Sequence, residues 1–84
     1  MVDKGMSRED IFKIVENQIR YNKPKETKIT LNRLISQGIS YHDAMIHIAF
    51  VVSREVFEII HEGKIFNEKN YEIALKDLPN ASRK

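Results

Sequence analysis

Glycine and proline are rare in this chain, and their positions divide it into segments of helical length. The sequence of 84 residues contains three Gly and two Pro. Because both residue types disfavour the interior of a helix, they mark the places where helices begin or end. Between Pro24, Gly38, Gly63 and Pro79, apolar residues recur at intervals of three and four. This pattern predicts an all-α protein.

Four helices are predicted, and three of them open with a capping sequence. Ser7, Ser40 and Asn67 stand where an N-cap side chain is required, each just before a run with helical periodicity. The predicted helices span about 8–22, 25–37, 41–62 and 68–78. The third is the longest and has a broad apolar face. We therefore expect a long central third helix with the others packed around it in an orthogonal or bundle-like array.

Helical spacing also predicts which side chains form the core. On the second helix the predicted buried residues are Thr27, Leu31, Leu34 and Ile35. On the third helix the predicted buried face comprises Met45, Ile48, Ala49, Val52, Val56, Ile59 and Ile60. Ile46 and Phe57 are predicted to lie at the margin of that face. On the fourth helix, Tyr71 is predicted to face inward and to pack against Phe66 ahead of the helix.

The length of the chain allows one domain, which we expect to span residues 1–84 with flexible ends at 1–6 and 80–84. The absence of Cys excludes disulfides, thiolate zinc sites and Cys nucleophiles. The longest apolar stretch, Ile48 to Val52, is far shorter than the roughly 20 residues that a membrane span requires. The first residues lack the apolar core of a signal peptide. We therefore expect a cytoplasmic protein without a membrane partner.

The three His residues do not fall into a spacing that favours an enzyme. His47 follows His42 by five residues, about 140° around a helix, whereas two zinc ligands on one face need a spacing of four. Ile46 stands at the place where the second ligand would be needed. The sequence therefore predicts no catalytic residue, no metal site, no cofactor and no small-molecule substrate. A metal-dependent enzyme using His42, His47 or His61 is the least favoured of three hypotheses.

The leading hypothesis comes from the side of the third helix opposite its main apolar face. There an apolar pair, Phe50 and Val51, lies among polar residues, an arrangement that suits contact with another protein. The candidate interaction surface comprises Asp43, His47, Phe50, Val51, Arg54 and Glu58. The same residues also fit a solvated helix face with one Arg54–Glu58 ion pair. We predict a small non-enzymatic protein that acts through protein–protein contact, with a homodimer as one form of that contact.

The alternative function comes from basic residues around the turn between the first two helices. Five bases between Arg20 and Arg33 face a single acid, Glu26. Cations attract phosphates, and an exposed Tyr can stack on a base. The candidate nucleic-acid patch comprises Arg20, Tyr21, Lys23, Lys25, Lys28 and Arg33. The segment therefore favours a nucleic-acid-binding accessory protein, although solvated turns are commonly rich in Lys.

A set of core and capping segments, spread over about residues 10–79, forms one further pattern. In chain order the segments are Pro24, Thr30–Leu34, Gly38, His42–Ala44, the Val-rich third helix with Glu55, Tyr71–Leu75 and Leu78–Pro79. They resemble an uncharacterised family of short helical proteins and domains from bacteria and archaea. The family pattern has a second His four residues after the first, where this chain has Ile46. The resemblance implies a helical fold and no particular activity, and the departure at Ile46 argues against a paired-His site.

Overall fold

The protein consists of four α-helices in a computed structural model that describes residues 7–80. The helices are α1 (Arg8–Tyr21), α2 (Lys25–Ser36), α3 (Tyr41–Glu62) and α4 (Glu68–Lys76). No strand occurs in this part of the chain. The prediction of an all-α protein with four helices is confirmed, and each predicted boundary differs from the observed one by at most two residues. The predicted flexible segment 1–6 and residues 81–84 of the predicted flexible C-terminus lie outside the described residues.

The helices begin at the predicted capping residues. At the start of α1, the Ser7 hydroxyl oxygen accepts a hydrogen bond from the Asp10 backbone N–H at 3.1 Å. The Asp10 carboxylate in turn accepts one from the Ser7 N–H at 3.3 Å, which completes a capping box. Ser40 and Asn67 each accept a hydrogen bond from the backbone N–H three residues ahead. These side chains satisfy N–H groups that have no partner within the helix.

Glycines with left-handed backbone angles follow α2 and α3. Gly38 has a φ of 93° and Gly63 a φ of 68°, values that residues with a Cβ rarely adopt. After α2, the N–H of Gly38 donates to the carbonyl of Ile35 at 3.0 Å, and the N–H of Ile39 donates to that of Leu34 at 3.1 Å. These two bonds are those of a Schellman motif, which ends a helix and turns the chain away from its axis. The turn brings α3 back across α2.

The core lies where α2 and α3 cross the other helices, since each of these two helices contacts all three others. The buried apolar residues are Ile11, Val15, Leu31, Leu34, Ala44, Met45, Ile48, Val51, Val52, Tyr71, Leu75 and Leu78. All four helices contribute to this cluster. In α3 the fully buried positions extend from Ala44 to Val52 and Val56 packs partly buried against the core, so the turns after Val56 project beyond it.

Three residues that were predicted to be buried are exposed instead. Ile59 and Ile60 are 39% and 45% exposed, because they follow the last buried position of α3 by two turns. Ile35 is 42% exposed. Thr30, which was not among the residues predicted to be buried, lies in the buried stripe of α2 where Ile35 was expected. The phase of a buried stripe is set by the neighbouring helices, and apolar spacing alone defines it only to about one residue.

A buried polar cluster joins α1, α2 and α4. The Tyr71 hydroxyl donates a hydrogen bond to the side-chain oxygen of Gln18 at 2.8 Å, and the Thr27 hydroxyl donates to the same oxygen at 2.7 Å. The two hydroxyl oxygens lie 3.2 Å apart. Tyr71 and Thr27 are almost completely buried, and the Tyr71 ring packs against Phe66 as predicted, with ring centroids 5.7 Å apart. The cluster therefore fixes three helices by directional bonds.

The buried hydroxyl of Tyr71 leads to a prediction for alkaline pH. Burial raises the pKa of Tyr71 from 10.0 to about 12, so the folded protein keeps the group neutral where the unfolded chain ionises it. The stabilisation is present below pH 10 and is lost as the pH rises through 12. We expect urea unfolding to show a loss of about 2 kcal/mol between pH 9.5 and pH 12 that Tyr71→Phe lacks. An equal loss in Tyr71→Phe would contradict the assignment.

Candidate functional site

The predicted interaction surface of α3 is partly exposed and partly buried. Asp43, Phe50 and Arg54 are exposed, and His47 and Glu58 are half-buried. Val51 is completely buried, so its placement on this surface is wrong. Successive helical residues lie 100° apart, and this step carries Val51 from the side of Phe50 to the buried side of Ala44 and Ile48. The apolar residues of the exposed surface of α3 therefore include Phe50 but not Val51, and the others must be identified from the structure.

The exposed apolar residues form a row along the outer side of α3. Ile46, Phe50, Phe57 and Ile60 are 45%, 37%, 50% and 45% exposed. The exposed Ser53 occupies the position between the two Phe residues. We call these five residues the outer row. Their spacing of four, three, four and three residues is the heptad spacing at which two helices pack side chains between each other.

Sequence reasoning found one apolar member of the outer row and missed the others. Phe50 belongs to the predicted surface, whereas Ile60 was assigned to the core and Ile46 and Phe57 to its margin. The available signal was a second heptad phase in α3, half a turn away from the phase that fills the core. A helix with two such phases is apolar on two opposite sides, and only one of them can be covered by a single small core.

The two aromatic rings of the outer row are held by polar neighbours one turn along the helix. The Arg54 guanidinium carbon lies 5.8 Å from the centroid of the Phe50 ring, in cation–π range. The Phe57 and His61 ring centroids are 4.5 Å apart. Each Phe ring of the outer row thus has a cationic or aromatic neighbour four residues further along α3.

The Arg54–Glu58 ion pair, which the alternative interpretation as a solvated helix face includes, does not form. The ion pairs found among residues 7–80 are Lys64–Glu62 and Lys76–Glu72. A base that precedes an acid by four residues is the less favourable order on a helix, and Arg54 lies over Phe50 instead. Glu58 lies close to Glu55, whose pKa is raised by burial and by the charge of Glu58. One flank of the outer row thus carries a base and an acid that do not pair with each other.

Two open grooves meet at Phe50 of the outer row. The groove between α1 and α3 has a volume of about 410 Å³, and its apolar lining includes Phe12, Ile46 and Ala49. The groove between α3 and α4 has a volume of about 750 Å³ and is lined by both charged and apolar residues, among them Arg54 and Ile73. Phe50 is therefore a ridge between two depressions, a shape against which another helix can pack, whereas Phe57 and Ile60 line neither groove.

The His residues are dispersed in the structure. His42 lines the groove between α1 and α3, whereas His61 packs against Phe57 in the last turn of α3. Within residues 7–80, no three His, Asp or Glu side chains lie together in a group that could hold a metal ion.

The predicted nucleic-acid patch retains five of its six residues at the surface. Arg20, Tyr21, Lys23, Lys25 and Lys28 are exposed around the α1–α2 turn. Arg33 is half-buried, and its guanidinium donates to the carbonyls of Leu75 and Leu78 at 2.9 and 3.0 Å. Because these carbonyls lie at the end of α4, Arg33 caps that helix and is not part of the basic patch.

Comparison of the chain with protein-family models, curated proteins and solved structures finds no match. None of the helices within residues 7–80 combines the length and the apolar character needed to cross a membrane.

Proposed function

We propose that this chain is a small non-enzymatic protein that acts through protein–protein contact, with the outer row of α3 as its contact surface. The observation that carries this proposal is the exposure of four large apolar side chains at heptad spacing on one rigid helix. Large apolar side chains exposed together on one side of a helix are a feature of interaction sites. A bound partner buries the apolar side chains of the outer row, which the small core of the chain leaves exposed.

The length of the outer row and its residue types both support it as the contact surface over the exposed apolar residues elsewhere on the protein. The outer row extends from residue 46 to residue 60, a length of roughly 21 Å at 1.5 Å per residue. That length is typical of a helix that docks on a helix or in a groove. Aromatic and Arg side chains, which dominate interface energetics, are present in Phe50, Phe57 and Arg54. The exposed Ile29 of α2 lies on a different helix and provides an internal comparison.

Site-specific photo-crosslinking tests the proposal without knowledge of the partner. A photoreactive phenylalanine analogue is placed at position 57 and, as the matched control, at position 29, which is similarly exposed. We expect irradiation in the native host to link position 57, and not position 29, to another protein chain. An adduct with a second copy or with a different protein supports the proposal equally. Absence of an adduct at 57, or equal yields at both positions, contradicts it.

The basic α1–α2 turn supports nucleic-acid binding as a second candidate function. The observation in its favour is Tyr21, which is 63% exposed at the end of α1 beside exposed basic residues. An exposed aromatic ring next to cations is the arrangement that binds single-stranded nucleic acid by stacking and charge.

Neutralising the basic turn tests this second function. We expect Lys23→Gln, Lys25→Gln and Lys28→Gln, combined in one variant, to weaken binding to a mixed-sequence RNA oligonucleotide at 50 mM salt by at least tenfold. The salt dependence should also fall, by a slope of about 2 for three lost phosphate contacts. Lys69→Gln, at an exposed position of α4, is the control and should leave binding unchanged. Failure of the unmodified chain to bind RNA at low salt would contradict this function.

A further inference from the structure

We propose that the basic α1–α2 turn binds two bases of a single strand of nucleic acid, one stacked on Tyr21 and the other on Phe66. This inference rests on the second candidate function, because it requires the turn to bind nucleic acid. It adds a second stacking ring and a preference among bases. Phe66 belongs to the segment before α4, remote in sequence from the turn.

Two open grooves adjoin the turn, and both have Lys23 in their lining. One has a volume of about 700 Å³ and is lined by Tyr21 and residues of α1. The other has a volume of about 600 Å³ and lies between the turn and Phe66. Tyr21 is 63% exposed and Phe66 is 43% exposed, so much of each ring is accessible to a ligand. Each groove therefore combines one accessible aromatic ring with the same Lys side chain.

The two grooves are connected by the buried polar cluster. The Phe66 ring packs against the buried ring of Tyr71, with centroids 5.7 Å apart. The Tyr71 hydroxyl donates to the side-chain oxygen of Gln18 at 2.8 Å, and Gln18 lines the groove of Tyr21. The relative position of the grooves is thus set by packed and hydrogen-bonded residues. A preformed arrangement of this kind lowers the ordering cost of binding.

The groove of Phe66 carries unpaired charges of both signs. The charged residues in its lining are Lys23, Lys25, Glu26 and Glu68, and none of them takes part in the ion pairs found among residues 7–80. A nucleotide has groups that match all of these features. Its phosphate binds a cation, its base stacks on a ring, and the amino group of cytosine donates to a carboxylate. The two acids repel a polyanion without bases, so the groove favours a nucleotide.

An abasic strand separates stacking from phosphate contact. We expect the unmodified chain to bind a cytidine oligonucleotide at least tenfold more tightly than an abasic strand of the same length and charge, because only the first can stack. Phe66→Leu keeps an apolar contact with Tyr71 and removes the flat ring. It should weaken binding to the cytidine strand at least fivefold and leave binding to the abasic strand unchanged.

Phe57→Leu is the matched control, since it removes a similarly exposed ring from α3, and it should change neither affinity. Equal binding of the two strands by the unmodified chain overturns the inference. An equal loss on both strands in Phe66→Leu also overturns it, because such a loss reports a structural role of Phe66.

A uridine oligonucleotide tests the role of the two acids. Uracil has a carbonyl oxygen where cytosine has its amino group, so a carboxylate accepts a hydrogen bond from cytosine alone. We expect the unmodified chain to bind the cytidine strand at least threefold more tightly than the uridine strand. Glu26→Gln and Glu68→Gln, combined in one variant, should abolish this preference. Equal affinity of the unmodified chain for both strands overturns the predicted base preference.

The inference and the function on which it rests fail in different ways. If the chain binds RNA but binds the abasic strand equally well, the stacking of bases on Tyr21 and Phe66 is overturned and the second candidate function stands. If the chain binds no RNA at low salt, the second candidate function fails and this inference fails with it.

Discussion

Val51→Asp is expected to prevent the chain from folding. Val51 is completely buried in the core of α3, and a carboxylate at this position has neither water nor a cationic partner. The cost of burying such a group is about 4 kcal/mol or more. A domain of this size has a total stability of about 5 kcal/mol, so little or none would remain. Far-UV circular dichroism should show loss of the helical signal at 25 °C.

The neighbouring Phe50 provides the matched control. Phe50→Asp introduces the same charge one residue earlier, at an exposed position, and should retain a cooperative unfolding transition. Cooperative unfolding of Val51→Asp at the temperature of the unmodified chain would show that α3 is rotated about its axis relative to the arrangement described. In that event the outer row would not be the exposed face.

Phe57→Asp is expected to abolish self-association while the chain stays folded. Phe57 is half exposed in one copy, so the substitution adds a charge without disturbing the core. In a homodimer that packs the two outer rows together, each Phe57 is covered by the other copy, and Phe57→Asp removes two such contacts at once. A central aromatic residue of an interface contributes about 2 kcal/mol or more, so we expect the dissociation constant to rise at least 100-fold.

Ile29→Asp is the control for Phe57→Asp in the same sedimentation experiment. It places a charge on an equally exposed Ile of α2, remote in sequence from the outer row, and should leave association unchanged. An unchanged dissociation constant in Phe57→Asp, or an equal loss in both variants, would contradict the contact at the outer row.

The helices were predictable because their ends are determined by local chemistry. Ser7 and Asn67 cap helices through bonds that reach only three residues, and Gly63 ends α3 through its own backbone angle. Such signals are contained in a few consecutive residues and do not depend on the rest of the fold. All four helices were therefore located to within two residues at each end.

The faces of α3 were less predictable because they depend on what packs against the helix. Phe50 and Val51 are adjacent and both apolar, yet one is exposed and the other is buried. The predicted face was extended through Ile60, but full burial stops at Val52 and only Val56 beyond it still packs against the core. Apolar spacing shows that a helix has an apolar side. How many turns of that side are buried depends on the helices that pack against it in the tertiary structure.

The long-range polar contacts had no signal in the sequence. Arg33 donates hydrogen bonds to carbonyls 42 and 45 residues away. It was assigned to the basic patch because it is close in sequence to the other basic residues of the patch. Gln18 accepts hydrogen bonds from Thr27 and from Tyr71, which is 53 residues away. Arg and Gln are usually found at the surface, so their structural use is recognised only once the helices are in place.

Sedimentation equilibrium of the unmodified chain tests the homodimeric form of the proposed contact most directly, in which the outer row of α3 is covered by a second copy. Over a concentration series from 1 µM to 1 mM, we predict a mass that rises from the 9.9 kDa of one chain to twice that value. The same series with Phe57→Asp should remain at one chain mass throughout. A single species of 9.9 kDa for the unmodified chain at every concentration would contradict the claim.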